Sequence, residues 1–578
     1  MNEICEILKS VVRGLFGVEI KPDLVEAPEL ERNERGFRAD LATNVAMRLT
    51  GILSKQGVKE NPRAVAEKVR GGFLAEVAKS DKLFGVQVEV AGPGFLNFML
   101  GDEYLRGVVG RFAEDFDSNI SLGEYFGKKV VVEFSDPNPF KVLHIGHLYT
   151  SMMGESISRI IELAGGEVHR VNFGGDVGLH VAKTLFALEK ETPEDLTIEK
   201  IARAYVEGTR AYDEDEKVKK QITVLNKKIY EIAEKKLHDS VLAEKYWRGR
   251  ELSYEYFDEF YERIGVKFEK YYPESTVATT GLEVVKAHVP DVYEESDGAV
   301  VFRGEKYGLH TRVFINREGL PTYEAKDVGL IVTKDKDYGF DESVVITGND
   351  IVDYMKVVLK SVEQYAPELV KKTVHITHGN VRLPGNEKMS SRKGNFVKAV
   401  DVLDMVEKNL DEGGVGARNR QTVKTLANAA VKYALLKYKI GGNIEFDMKE
   451  SVSMTGNSGV YLLYSVVRAN KILMGVENND TKNEVKDVLD WKLEESEVRI
   501  IKKIMQYPKL LGEVVKEKAP HLICNYLFET AQEFSRFYEN CRVSGSEFET
   551  ERKRIVRAFL NVMKHGLGLI GIETLEEM

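Results

Sequence analysis

The chain has 578 residues and a mass of 65.2 kDa, more than one hydrophobic core serves, so about three domains are expected. Its composition, 30% charged and 43% hydrophobic, is that of an ordinary globular protein, and no apolar run approaches the roughly 20 residues that a membrane helix needs. The net charge of −10 excludes a global attraction for polyanions but not a local basic stripe that could touch phosphates.

In chain order, Ile4, Leu8, Val11, Val12 and Leu15 predict one face of a first helix, and Glu3 and Glu6 speak against a transit or signal peptide. A helix is predicted over Ala64 to Lys79. Alternation in FGVQVEVAGPGFLNFML then predicts strands bracketed by turns at Gly85 and at Gly92 to Gly94. These elements form a separate α+β domain over residues 1–118. From Lys128 the pattern changes: Val130, Val131 and Val132 read as a strand buried on both faces. After a long loop, Met153, Ile157, Ile160, Ile161 and Ala164 recur at helical spacing, Gly165 and Gly166 stop the helix, and EVHRVNF is the next strand, giving a βαβ unit.

Residues 183–274 are charged and helical, with Ile222, Leu225, Ile229 and Ile232 on one face and a solvated acidic run from Asp213 to Glu216. The parallel sheet resumes at SVVITGND, Ser343 to Asp350, a strand whose C-terminal end is where open α/β sheets bind ligands. From about Gly441 onward only helices are predicted. One of them carries Ile523, Leu527, Ala531, Phe534 and Tyr538 on a single stripe, which assigns the two aromatics to the core. Cys5, Cys524 and Cys541 are scattered and odd in number, which argues against a disulfide framework and against zinc, and fits a reducing cytoplasm.

Chemistry concentrates in VVVEFSDPNPFKVLHIGHL, Val130 to Leu148. His144 and His147 stand between a buried strand and a helix start, where free backbone N–H groups and the helix dipole favour an anion. Neutral imidazoles can donate to phosphate oxygens, Gly146 leaves room for a flat base or ribose, and Lys141 could reach the same phosphates. Two imidazoles at this spacing could equally cap a helix; metal binding is the weaker alternative, because no third or fourth ligand stands at zinc spacing. Far downstream, KMSSRKGN, Lys388 to Asn395, is a basic Ser/Gly-rich loop able to close over a triphosphate or to stand solvated on the surface. The turn GGDVG, Gly174 to Gly178, lacks the GxGxxG spacing of a dinucleotide fingerprint, and no P-loop occurs.

HIGH followed by KMSSR resembles the ATP-binding pair of class I aminoacyl-tRNA synthetases. Within that class, EFSDPNPFKVLHIGHL, VNFGGDVG, PTYEAKDVGL, KMSSRKGNFV, SGVYLLYSVVRANKIL and GLGLIGIETLEEM are similar to the arginyl enzymes, as are GFRADLATNVAMRL and GPGFLNFML near the N-terminus. These segments run in family order over almost the whole chain. The resemblance implies a multi-domain α/β protein: an N-terminal tRNA-binding α+β domain (1–118), a Rossmann-type parallel-sheet catalytic domain (119–440, helical insertion at about 183–274) and an all-helical anticodon-binding domain (441–578).

The implied reaction is activation of L-arginine by ATP with Mg²⁺, then transfer to the 3′ end of a cognate tRNA. Lys141, His144 and His147 are implied as catalytic. Pro137, Gly146, Lys388, Met389, Ser390, Ser391, Arg392 and Lys393 would bind ATP, and Glu133, Ser135, Asn138, Tyr323, Asp327 and Asp350 would hold arginine. A guanidinium asks for carboxylate acceptors. Tyr323 and Asp327, four apart after Pro321 and Thr322, lie on one helical face, though any such pair can be merely exposed. Where the class has a second loop lysine this chain has Ser391, for which Lys141 would compensate. In GGDVG, Val177 replaces the family's aromatic. No zinc and no membrane are expected, and a cytoplasmic monomer is. Two rivals remain: a small-molecule nucleotidyltransferase with the same histidine motif, and a non-catalytic relative that binds tRNA or senses arginine.

Overall fold

A computed structural model of the chain describes residues 2–20, 39–79, 83–382, 384, 397–413, 419–475 and 491–578. Near the N-terminus, strands β1 (Leu41–Thr43), β2 (Val86–Ala91) and β3 (Phe95–Leu100) form an antiparallel sheet in the order β1-β3-β2. The Pro62–Val77 helix starts with proline after Asn61, whose side chain accepts the Arg63 N–H. It buries Phe73 edge-on against Phe98 at 5.1 Å. Ile4, Leu8, Val11 and Val12 are buried as their spacing predicts, whereas Leu15, in the last turn of the Asn2–Phe16 helix, is exposed.

The central sheet has five parallel strands: β4 (Lys129–Glu133), β5 (Glu167–Gly174), β6 (Lys270–Pro273), and, after an antiparallel trio β7 (Glu294–Ser296), β8 (Ala299–Phe302) and β9 (Arg312–Ile315), β10 (Glu342–Gly348) and β11 (Thr373–His378). Its order is β11-β10-β4-β5-β6. The chain therefore winds one way from β4 and the other way at β10. The crevice between the C-terminal ends of those two strands is the topological switch point where such sheets bind ligands. Val130, Val131 and Val132 are wholly buried, as a central parallel strand requires.

Between β5 and β6 run four helices, Leu179–Ala187, Ile198–Glu214, Glu216–Lys235 and Val241–Ile264. They share a separate core that includes Ile222, Ile229 and Ile232, with Leu225 partly buried against it. The acidic run is exposed, but Asp215 also caps a helix, accepting the Lys217 N–H at 2.7 Å. Phe140, from the loop after β4, is buried in this same core. The insertion is thereby fastened to the crevice.

Among the described residues from Gly441 onward the regular elements are helices, except that Ile444–Glu445 is a short strand paired in parallel with Val381–Arg382. Backbone pairing so brief leaves no alternation to read. On the Pro520–Asn540 helix, Ile523, Leu527, Ala531 and Phe534 are buried, and Phe534 stacks on Phe559 at 4.0 Å. Tyr538, assigned to the core by spacing, is instead 44% exposed, with the Arg468 guanidinium 4.8 Å above its ring. Period places it on the stripe, but in the last turn of the helix the buried side is taken by Phe537 instead. Among the described residues no helix is long and apolar enough to cross a membrane, and Cys5, Cys524 and Cys541 are free thiols.

Candidate active site

The loop that leaves β4 is strained and pinned. Ser135, Asp136 and Phe140 have φ of 76°, 50° and 66°, a left-handed backbone that costs a non-glycine residue roughly 1–2 kcal/mol. Compensation comes from outside the loop: Ser135 Oγ meets Tyr261 OH at 2.8 Å, Asp136 Oδ1 accepts the Phe173 N–H at 2.8 Å, and the Phe140 N–H donates to Ser253 Oγ at 2.9 Å. Asn138 Oδ1 accepts the Gly175 N–H at 2.7 Å, which turns the amide NH₂ of Asn138, a residue lining the crevice, away from the GGDVG turn.

That turn needs its glycines for close approach. A Cβ on Gly174 would stand 2.4 Å from the Pro137 carbonyl oxygen, and one on Gly175 would stand 2.6 Å from Asn138 Oδ1 and 3.0 Å from the Glu274 carboxylate. Gly175→Ala is expected to displace Asn138 and to cost about 1–3 kcal/mol of stability through overpacking against Asn138 and Glu274, which a comparison of melting temperatures would show.

His144 and His147 sit at the start of the Ile145–Leu163 helix and bond to it reciprocally. The Gly146 N–H donates to His144 Nδ1 at 3.1 Å and the His144 N–H donates to His147 Nδ1 at 3.1 Å, a capping box built from imidazoles. The rings stack at 3.8 Å. Burial and the Lys141 charge push His144 down to about 4, against the pull of Asp350, and burial with the His144 neighbour holds His147 well below the ordinary imidazole range. Both rings are therefore neutral at pH 7. Since each Nδ1 accepts, each proton resides on Nε2. Capping and phosphate recognition, alternatives in the sequence, thus become two ends of one ring. Gly146 serves the cap itself, for a Cβ there would lie 2.9 Å from His144 Nδ1.

A cavity of about 80 Å³ opens beside the pair, lined by Asn138, Lys141, Val142, His144, His147, Ala202, Tyr205 and Val206. Lys141 Nζ lies 5.0 Å over the ring of Tyr205, which comes from the helical insertion. The insertion therefore walls the site, a role its plain charged sequence did not signal. Lys388, Met389, Ser390, Ser391, Arg392 and Lys393 lie outside the described residues. The segment that follows them returns to the histidines: the Ile145 N–H donates to the Val397 carbonyl at 3.1 Å and the Ala399 N–H to the Leu143 carbonyl at 3.0 Å.

On the other side of the loop the floor is acidic. Glu133, expected to face arginine, is buried and paired with Lys334 of the Tyr323–Tyr338 helix. Glu274 pairs with Lys326 at 2.5 Å. Among the described residues Asp327 has no such cation: the Tyr354 hydroxyl donates to it, and burial, reinforced by Glu133, Glu274 and Glu324, pushes its carboxyl up to about 8. Burial and Glu133 also raise Asp136 well above the ordinary carboxylate range. A low-dielectric pocket whose carboxyls are raised first by burial and then by neighbouring carboxylates is one that a cation would complete. Tyr323, one turn from Asp327, is 56% exposed, its ring 5.0 Å from Lys326 Nζ. Thr322 precedes it without capping, its hydroxyl donating to the Val313 carbonyl at 2.7 Å instead. Asp350 is exposed at the end of β10. Tyr205, Lys334, Tyr354 and Asp136 escaped sequence reading. Asp136 alone had a local signal, a carboxylate between two motif residues.

Among the described residues one further cluster has metal-ligating geometry, Glu494, Glu497 and Cys541, far along the chain. Arg552 forms ion pairs with both of its carboxylates.

Comparison with known proteins adds an independent line. Residues 118–448 match the family described as tRNA synthetases class I (R), catalytic domain; residues 462–578 match the DALR anticodon binding domain, and residues 2–100 the arginyl tRNA synthetase N terminal domain. The chain is 29% identical to an arginine–tRNA ligase of Fusobacterium nucleatum over 602 residues, covering 100% of this chain and 99% of that one. It is 29% identical to an arginine–tRNA ligase of Treponema denticola over 546 residues, 90% of each. A Thermus thermophilus arginyl-tRNA synthetase structure shares the fold at a TM-score of 0.76 and 20% identity, covering 100% of this chain and 99% of that one.

Proposed function

Because the chain belongs to the class I arginyl-tRNA synthetases, we propose that the crevice between β4 and β10 is where its ATP and arginine meet. The enzyme activates arginine with ATP and charges tRNA. The arginine carboxylate oxygen attacks the α-phosphorus, the bond to the bridging oxygen breaks, and pyrophosphate leaves. A ribose hydroxyl at the 3′ end of tRNA then attacks the carbonyl carbon, and AMP leaves. The first step needs no protein base, so its catalysis is positioning and charge stabilisation.

His144 and His147 donate through Nε2–H to the phosphate oxygens at the helix start, the magnesium entering with ATP. The reciprocal cap carries this reading, since it leaves both rings neutral donors of fixed tautomer. Lys141 swings from the Tyr205 ring to the phosphates and takes the part of the lysine absent at Ser391. Pro137 and Gly146 border the nucleotide, and Lys388, Met389, Ser390, Ser391, Arg392 and Lys393 complete the set that binds ATP. On the acidic side, Asp327 and Tyr323 receive the guanidinium. Ser135 and Asn138 orient the amino-acid end, and Asp350 attracts the ammonium. Glu133 acts through its pair with Lys334, which keeps the floor in place. Lys141→Ala is expected to lower the rate of activation about 100-fold, as loss of a preorganised charge does, with the arginine KM changed less than about threefold. Equal rates would remove Lys141 from the mechanism.

The domains divide the work at 1–118, 119–440 and 441–578. The protein acts as a cytoplasmic monomer. On the helical domain, Arg468 stacks between Tyr464 and Tyr538, 4.7 and 4.8 Å from their rings. Tyr538 is exposed and Tyr464 and Arg468 are half-buried, an aromatic and guanidinium surface that suits unpaired bases. The test of the whole reading is ATP/pyrophosphate exchange by purified protein with each amino acid, with and without tRNA. Exchange with arginine alone is expected. Folded protein with no exchange under any condition would leave a non-catalytic relative.

A further inference from the structure

Ser135, the first left-handed residue after β4, is held from behind. Its hydroxyl lies 2.8 Å from the Tyr261 hydroxyl and 2.9 Å from that of Ser151, and all three side chains are buried. Asn172 of β5 fixes the direction of the first bond. One N–H of its amide points at the Phe134 carbonyl at 3.3 Å, which turns Nδ2 toward Tyr261, and the other donates to the tyrosine oxygen at 3.2 Å. The single phenolic proton is thereby left for Ser135. Burial pushes the phenol up, so it keeps that proton near neutral pH. Tyr261 is itself placed by packing: it stands in the last turn of the Val241–Ile264 helix, its ring 4.8 Å from Phe268, which in turn lies 4.6 Å from Phe134. Like Tyr205, it comes from the helical insertion.

We propose that Tyr261 is a positioning residue for arginine: by holding the Ser135 hydroxyl it keeps the loop after β4 in the turn that brings Ser135 and Asn138 to the amino-acid end of the substrate. This rests on the functional reading above and deepens it. Ser135 and Asp136 have φ of 76° and 50°, and the cost of one such residue is comparable to the net worth of one neutral hydrogen bond. Loss of the Tyr261 bond therefore removes what offsets the strain at Ser135, and the backbone relaxes. Asn138 moves with it, because Pro137 and Pro139 on either side leave the loop few torsions in which to absorb the change. The change stops at Phe140, whose N–H donates to Ser253 and whose ring stacks on Tyr246 at 6.1 Å. Lys141 and the two histidines lie beyond that anchor, so the phosphate side of the crevice keeps its geometry.

Arginine-dependent ATP/pyrophosphate exchange at saturating tRNA tests this in the whole chain and in Tyr261→Phe and Ser151→Ala. The phenylalanine variant keeps the ring and its packing and loses only the donor. Its arginine KM is expected to rise about fivefold, the equivalent of one neutral hydrogen bond, with kcat and the ATP KM within about twofold of wild type. Competitive inhibition by n-butylguanidine, which carries the side chain of arginine without its amino-acid end, should be unchanged. An arginine KM that does not move overturns the proposal. So does one that rises together with the ATP KM or with the butylguanidine inhibition constant, the mark of a general loosening of the crevice. Should Tyr261→Phe fail to fold, as its melting temperature would show, Ser151→Ala carries the test with the same expected pattern, since it removes the other contact of the Ser135 hydroxyl. Wild-type protein with no arginine-dependent exchange at all would instead refute the functional reading beneath it.

Discussion

Asp327→Asn is expected to raise the arginine KM by about 100-fold, the equivalent of the roughly 3 kcal/mol that a buried charge-assisted bond to a guanidinium supplies. Its second effect is on protons. Burial first, and then the surrounding carboxylates, push Asp327 up to about 8, so near neutral pH the group carries a proton while the pocket is empty. A guanidinium binds the ionised form, and arginine must therefore expel that proton. The sign follows from linkage: affinity rises as pH rises toward 8, by up to about tenfold per unit, and is flat above it. Calorimetric titration with arginine in two buffers of different ionisation enthalpy would register the released proton. The asparagine variant should show weak, pH-independent binding with no proton released. If wild-type protein binds arginine without proton release below pH 8, Asp327 is not the guanidinium's partner. Tyr354, whose hydroxyl already donates to Asp327, would be the group to follow next.

The second large effect separates the two ends of the imidazoles. An asparagine amide overlays the Nδ1 side of a histidine and a glutamine amide the Nε2 side. His144→Asn should therefore keep the bond from the Gly146 N–H and lose the donor toward the phosphates, whereas His144→Gln should do the reverse. We expect the asparagine variant to retain its melting temperature and lose about 10²- to 10³-fold in the rate of activation, the usual cost of one preorganised donor. The glutamine variant should lose about 1 kcal/mol of stability, the worth of an N-cap, and keep more of the rate. Equal losses of rate in both would mean that the ring acts through the cap alone. No pH dependence of activation should arise from His144 above about pH 5, since burial and Lys141 hold it down to about 4.

Much of the fold was legible because its signals are local. Three consecutive valines mark a strand covered on both faces, and Met153, Ile157, Ile160 and Ile161 mark the helix after it. Both elements stand where expected, with these residues buried. Tyr538 departs from its spacing for a related reason: periodicity gives a stripe, but Phe537 beside it fills the core in the last turn and leaves Tyr538 at the surface. The short strand Ile444–Glu445 was missed because two residues carry no period, and its partner lies at Val381–Arg382.

For the site, the available chemistry can be read along the chain: two imidazoles at a helix start, a lysine three residues earlier, and a tyrosine and an aspartate one turn apart. Spacing is enough for these, because helix caps and i,i+4 pairs are made by neighbours. How each group is charged and held follows from packing between distant segments. Lys334 neutralises Glu133, Tyr354 reaches Asp327, Tyr205 meets Lys141, and Ser156 catches Leu569 across separations that no period encodes. A carboxyl's protonation depends on the burial and charges around it, and those are properties of packing, so Asp327 reads as an ordinary aspartate until the pocket closes around it.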